Sequence, residues 1–250
     1  MFIDTHCHLT DKYNNGADDV IQRAMENNVG VMICPTAEPN DIPCALTLAN
    51  SHNNIYCTIG IHPESAPVDA AQYLTDTVLT HPRVVGIGEI GLDYHYSPET
   101  RIQQIELFEQ QLDIAKKYAL PVAIHTREAE DDTANILIGD VCGVMHCYTS
   151  SWELAKKMLD RGFFFSASGI LTFKNSDEVR ETFSKIPTDR IVIETDAPYC
   201  APVPYRGKVC EPAMVVEVAK VLAQIKNLQL DALEDILMKN VKKLYPKIDI

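Results

Sequence analysis

The chain has 250 residues, 46% of them hydrophobic and 23% charged, with a formal net charge of −13. This composition suits a soluble globular protein read as one domain over residues 1–250. The acidic balance excludes a broad basic surface for nucleic acid, and no apolar run reaches the roughly eighteen residues of a membrane span. The chain opens without a basic segment followed by an apolar stretch, so the cytoplasm is the expected location. Cysteines occur without any Cys-x-x-Cys pair. Cys34, Cys57, Cys142 and Cys147 sit in or beside apolar runs and read as reduced core residues rather than a disulfide framework.

Short runs rich in Val and Ile predict strands at 1–6, 30–34, 56–61, 84–88, 121–125, 142–146, 163–166 and 191–195. The segments between them carry helical periodicity. The clearest follows Ser97-Pro98-Glu99, with Ser97 as N-cap, Pro98 at the first helical position, and Ile102, Ile105, Phe108, Leu112, Ala115 and Ala119 along one face. Asp231 and Glu234 read as a capping box opening a helix over 231–243. Eight successive βα units point to α/β architecture of the TIM-type (β/α)8 barrel, with a doubly wound open sheet as the alternative.

In such a barrel, chemistry gathers at the C-terminal ends of the strands. His6, His8, His62, His95, His125 and His146 all fall at or just after predicted strand ends. Side chains alternate along a strand, so His6 and His8 share a face and Cys7 points away. Glu89 and Asp196 each end an otherwise apolar run, where a carboxylate is costly unless paired or metal-bound. The set makes a two-metal site. His6 and His8 hold one divalent ion, His125 and His146 hold the other, Glu89 bridges both, and Asp196 completes the first ion. Two dications, two carboxylates and four neutral imidazoles leave a net charge of about +2, which attracts an anionic phosphodiester. Zn, Mn, Co and Ni suit this donor set, and Mg suits it less.

Six motifs carry a wider likeness: Asp4-Thr5-His6-Cys7-His8-Leu9, Gly60-Ile61-His62-Pro63, Gly88-Glu89-Ile90-Gly91-Leu92-Asp93-Tyr94, Pro121-Val122-Ala123-Ile124-His125-Thr126-Arg127, His146-Cys147 and Glu194-Thr195-Asp196-Ala197-Pro198-Tyr199. In order and register, over residues 1 to about 245, the chain resembles the TatD family of metal-dependent deoxyribonucleases, TIM-barrel members of the amidohydrolase superfamily. The resemblance implies His6, His8, Glu89, His125, His146 and Asp196 as metal ligands. Two positions depart from the family pattern: Ser150 replaces a glycine and Cys210 an asparagine.

His62, Arg127 and Arg206 are the candidate phosphate contacts, and Asp93 is placed behind a ligand histidine to orient it. Arg127 alternatively orients Glu89 or Asp93. Tyr94 and His95 line the cleft or pack beside it. The proline-rich segment 197–212 reads as a cleft wall. Trp152 is a rim or core residue with base stacking as its alternative.

The implied reaction is hydrolysis of DNA phosphodiesters, in the manner of a 3′–5′ exonuclease, by a two-metal-activated hydroxide, with Glu89 and Asp196 as catalytic residues. The acidic surface suits single strands or ends better than long duplex. The rival reading is hydrolysis of an ester or amide, such as a D-aminoacyl-tRNA, on the same metal pair. A third, a scaffold without catalysis, conflicts with six intact ligand positions. A monomer is the expected state.

Overall fold

The computed structural model describes residues 1–9, 13 and 16–249. Its strands are β1 (Phe2–Asp4), β2 (Val29–Pro35), β3 (Ile55–Thr58), β4 (Val84–Asp93), β5 (Val122–Arg127), β6 (Gly143–Met145), β7 (Phe164–Ala167) and β8 (Ile191–Ile193). They lie in chain order in one sheet, each pair parallel. Helices cover the outside of such a sheet, so its strands read as continuous apolar runs; every residue of β4 is buried. The β1/β8 seam is sewn by backbone hydrogen bonds from Thr5 N to Ile193 O (3.1 Å), Asp196 N to His6 O (2.9 Å) and His8 N to Ala197 O (2.7 Å). The architecture is therefore the barrel expected from the sequence, and the open-sheet alternative falls.

The helices are α1 (Ala17–Glu26), α2 (Asp41–Ser51), α3 (Asp76–Leu79), α4 (Arg101–Tyr118), α5 (Glu130–Ile136), α6 (Trp152–Asp160), α7 (Asp177–Lys185), α8 (Val215–Lys226) and α9 (Leu230–Leu244). Among the described residues no helix is long and apolar enough to cross a membrane. One apolar cluster takes a residue from every strand: Ile3, Val31, Tyr56, Val85, Ala123, Val144, Phe164 and Val192. Val241 and Leu244 of α9 and the following Tyr245 join it, so the end of α9 plugs the barrel floor. His125, His146 and Glu194 stand two residues beyond Ala123, Val144 and Val192. Strand alternation therefore returns them to the inner face, one layer above the apolar filling.

Several expected boundaries differ. β1 ends at Asp4, not at residue 6, because the buried Asp4 carboxylate accepts from the backbone N–H of His6 and of Thr195 (3.3 and 3.0 Å) and carries the chain off the ladder. Pro98–Thr100 forms a 3₁₀ turn ahead of α4, and the Ser97 side chain makes no capping bond. On α4, Ile102 is exposed and Ala119 leaves the helix at φ 51°, while Gln104 and Gln111 join the buried face. No capping box opens α9: Gln229 is its N-cap, Asp231 accepts from Ala232 N, and Glu234 instead receives the Met1 amino group and the Asn28 amide. Among the cysteines, Cys142 is exposed and Cys147 half-buried, so neither is the core residue expected; none of the eight forms a disulfide.

Candidate metal centre

Glu89 stands at the middle of the barrel mouth because of an irregularity in β4. Ile87 pairs with Val122 and Ile90 with Ile124, so β4 carries an extra residue between these pairs. Such a bulge re-aims a side chain. The Glu89 N–H is tied to Thr36 O at 2.9 Å. Two residues on, Gly91 (φ 141°) lies so close to β5 that a Cβ would sit 2.0 Å from His125 O. Only glycine serves there.

The two carboxylate oxygens of Glu89 face different histidines. Oε2 lies 3.4 Å from His6 Nε2 and 3.6 Å from His8 Nε2. Oε1 lies 2.9 Å from His125 Nδ1, 2.8 Å from His146 Nε2 and 3.5 Å from His62 Nε2. Asp196 approaches from the β8 side, with Oδ1 3.8 Å from His6 Nε2 and 3.7 Å from His8 Nε2. The His6 and His146 rings stack at 4.0 Å between centroids.

These groups control one another's charge. Burial alone would push Glu89 up, but His146 and His62, with hydrogen bonds from His125 and His146, hold it well below the usual carboxylate range. Burial likewise opposes protonation of His146 and His125. Glu89 and Glu194 overcome it at His146, and Asp93 and Glu89 at His125, so both imidazoles are raised above their ordinary value. His8 falls to about 3 and His62 to about 4, burial being the main cause in each case. Burial pushes Asp196 up.

A second ring of side chains fixes the first. His125 Nε2 meets Asp93 Oδ2 at 2.9 Å, and His146 Nδ1 meets Glu194 Oε1 at 3.2 Å. Each of these histidines thus turns one nitrogen to Glu89 and the other to an outer carboxylate, the arrangement that sets the tautomer of a metal-binding imidazole. Behind them, α4 holds the end of β4 and the segment that follows β3. Gln104 accepts from Asp93 N (2.8 Å) and donates to Asp93 O (2.9 Å); Gln111 does the same with Ile61 N and O (2.8 and 2.9 Å). The two glutamines are seven residues apart and share one helical face.

The donor set fits divalent cations. His6 Nε2 is fully buried yet makes no hydrogen bond, a costly condition unless a cation takes the lone pair. Ligand-type atoms of His6, His8 and Glu89 lie within 4.8 Å of one another, as do those of His6, His146 and Asp196 and those of His62, Glu89 and His125. The six expected ligand residues are therefore gathered at one place. His62, expected to face substrate, also points its Nε2 into this group.

The other expected positions are more dispersed. Arg127 is exposed and lies over the Tyr96 ring at 4.6 Å rather than on Glu89 or Asp93. Arg206 is exposed, lies over the Phe173 ring at 3.7 Å and donates to Ala201 O at 3.4 Å. Tyr94 hydrogen-bonds Asp132 (2.6 Å) and His95 pairs with Glu128 (2.7 Å), so neither is bound to the central carboxylate. Trp152 packs against the outer core under Lys185. Segment 197–212 brings Tyr199, 54% exposed, over the edge of His8 at 6.1 Å. Cys210 is buried, its N–H held by Pro198 O at 3.1 Å.

Sequence reasoning passed over Glu194, Gln104 and Gln111. The signal for Glu194 was present: it ends the same apolar run as Asp196, and the cost of an unpaired buried carboxylate applies equally to both.

Comparison with known proteins agrees with this geometry. The sequence model of the family described as TatD related DNase matches residues 3–246. The chain belongs to the TatD family. The TatD-family relatives include YcfH of Escherichia coli K12 and YabD of Bacillus subtilis, both described as uncharacterized metal-dependent hydrolases. YcfH is 36% identical over 98% of this chain and 96% of its own length, and YabD 36% over 98% and 99%. The crystal structure of YjjV, a TatD homologue of Escherichia coli K12, superposes with a TM-score of 0.88 at 28% identity, covering 98% of both chains. This family membership places the chain among metal-dependent hydrolases.

Proposed function

We propose that this protein hydrolyses phosphodiester bonds of DNA, at single strands or ends, with two divalent ions held by His6, His8, Glu89, His125, His146 and Asp196. The observation that carries the reading is the division of Glu89, with Oε2 toward His6 and His8 and Oε1 toward His125 and His146. A carboxylate so divided is suited to bridging two cations. When bound, such a pair activates water and offsets charge on a phosphate in the transition state.

The chain's own side chains do the rest. Asp196, with Oδ1 turned toward His6 and His8, would accept the proton of the attacking water. Asp93 and Glu194 keep the lone pairs of His125 and His146 aimed inward. His62, Arg127 and Arg206 hold the phosphate, and the exposed ring of Tyr199 offers a surface for an unstacked base. The net charge of −13 disfavours long duplex, and with it an extended protein–backbone track.

The test is an assay of metal-reconstituted protein on DNA labelled at its 5′ or 3′ end, single-stranded and duplex, beside an aminoacyl ester. Single-stranded DNA should be shortened and the ester should survive. Ester cleavage with intact DNA would transfer the site to the deacylase reading.

A further inference from the structure

We propose a third cation site beside the first two, for a thiophilic divalent ion, made by Cys147, Cys200 and Asp196. Cys147 follows His146 at the end of β6, and Cys200 lies four residues past Asp196 in the loop after β8. One ligand atom from each of the three falls within 4.8 Å of the others. The Cys200 Sγ stands 3.7 Å from Asp196 Oδ2. The other oxygen of that carboxylate, Oδ1, faces His6 and His8. Asp196 is thus divided between imidazoles on one side and thiols on the other, as Glu89 is between its two pairs of histidines.

The local backbone supports this grouping. Cys147, Asp196 and Cys200 all have left-handed φ values of 41°, 57° and 51°. That conformation is costly for residues with a Cβ, and here it is adopted by each member of the triad. Gly169 lets the Cys200 loop descend onto the end of β7, since a Cβ there would lie 1.8 Å from Cys200 O. Both thiols are half-buried rather than sealed in the core.

Two thiolates and a carboxylate select a soft or borderline cation, of the class of Zn²⁺, Co²⁺ or Cd²⁺, over Mg²⁺ or Mn²⁺. Three protein donors leave a position for water or substrate. Loss of two thiol protons offsets the added dication, so the neighbouring pair of ions meets no extra net charge. The proposal rests on the two-ion reading only through the shared Asp196.

Titration of the reduced, metal-free protein with Co²⁺ tests it. Thiolate ligation gives a sulfur-to-cobalt charge-transfer band in the near ultraviolet, which imidazole and carboxylate donors do not produce. The parent should take three equivalents, one of which brings the band. Cys147→Ser and Cys200→Ser should each lose the band and one equivalent while keeping two; Cys44→Ser, at an exposed thiol, should keep all three. A parent without the band, or a band surviving in Cys200→Ser, would overturn the third site alone. Fewer than two ions in Cys200→Ser, with a native circular dichroism spectrum, would instead count against the two-ion reading. Should either serine variant misfold, the parent's band and stoichiometry still decide the matter.

Discussion

Gln104 holds Asp93 by both of its backbone polar groups, accepting from the N–H at 2.8 Å and donating to the carbonyl at 2.9 Å. Asp93 in turn holds His125. Replacing Gln104 by Leu leaves a buried N–H and C=O without partners, at a cost of about 1–3 kcal/mol each. Urea denaturation of Gln104→Leu should show a loss of about 2–6 kcal/mol for the two groups together, and turnover should fall with it because the end of β4 is no longer fixed. Unchanged stability and turnover would remove α4 from the positioning of the site.

The outer carboxylates act on metal affinity. Asp93→Asn and Glu194→Gln keep the shape of each side chain while weakening the grip on His125 and His146. Loss of such a partner typically lowers affinity about 10- to 100-fold. Competition with a chromogenic chelator measures this; parental affinity in both variants would show that neither carboxylate tunes its histidine.

Acid should weaken cation binding. His125 and His146 are raised above their ordinary value in the metal-free site, so each holds its proton to higher pH than a free imidazole, and a cation must displace that proton. His8, at about 3, and His62, at about 4, are already uncharged near neutral pH and release none. Affinity therefore climbs as pH rises toward the raised values and falls as pH drops. Titration calorimetry in buffers of different ionisation enthalpy should find net proton release on binding. Proton uptake, or pH-independent affinity between pH 6 and about 8, would contradict this charge assignment.

Arg127 and Arg206 separate the phosphodiester reading from its rival. Each sits over an aromatic ring, Tyr96 or Phe173, and is exposed; Arg206 also donates from Nη1 to Ala201 O at 3.4 Å, leaving its other N–H groups to meet a phosphate. A lost hydrogen bond to a charged group costs about 1.5–3 kcal/mol, roughly 10- to 100-fold in kcat/KM. Arg127→Ala and Arg206→Ala should lose that much on single-stranded DNA. No loss in either variant would point to a neutral ester or amide substrate.

The fold was legible because each strand of a parallel barrel is an apolar run, and the histidines and carboxylates that end those runs stand out against it. β4 shows the limit: its apolar start at Val84 is plain, but its continuation through Glu89 to Asp93 depends on a bulge and on Gln104, and neither has a periodic signature. Buried glutamines read as solvent-facing in a hydrophobic pattern, so the true inner face of α4 was displaced toward Ile102, which is exposed. Asp231 and Glu234 have capping-box spacing, yet Glu234 is occupied by the chain's amino terminus, a partner distant in sequence. The Cys147–Cys200 pairing was hidden for the same reason: the two residues are brought together only when β6 and β8 take their places in the barrel.

Two cations joined by Glu89 would form one catalytic unit. Native mass spectrometry with Mn²⁺, which thiolates do not favour, counts those ions directly. The parent should hold two Mn²⁺ per chain, and Glu89→Ala should lose at least one of them together with DNA cleavage. Two Mn²⁺ retained by Glu89→Ala with parental cleavage would contradict this role of Glu89.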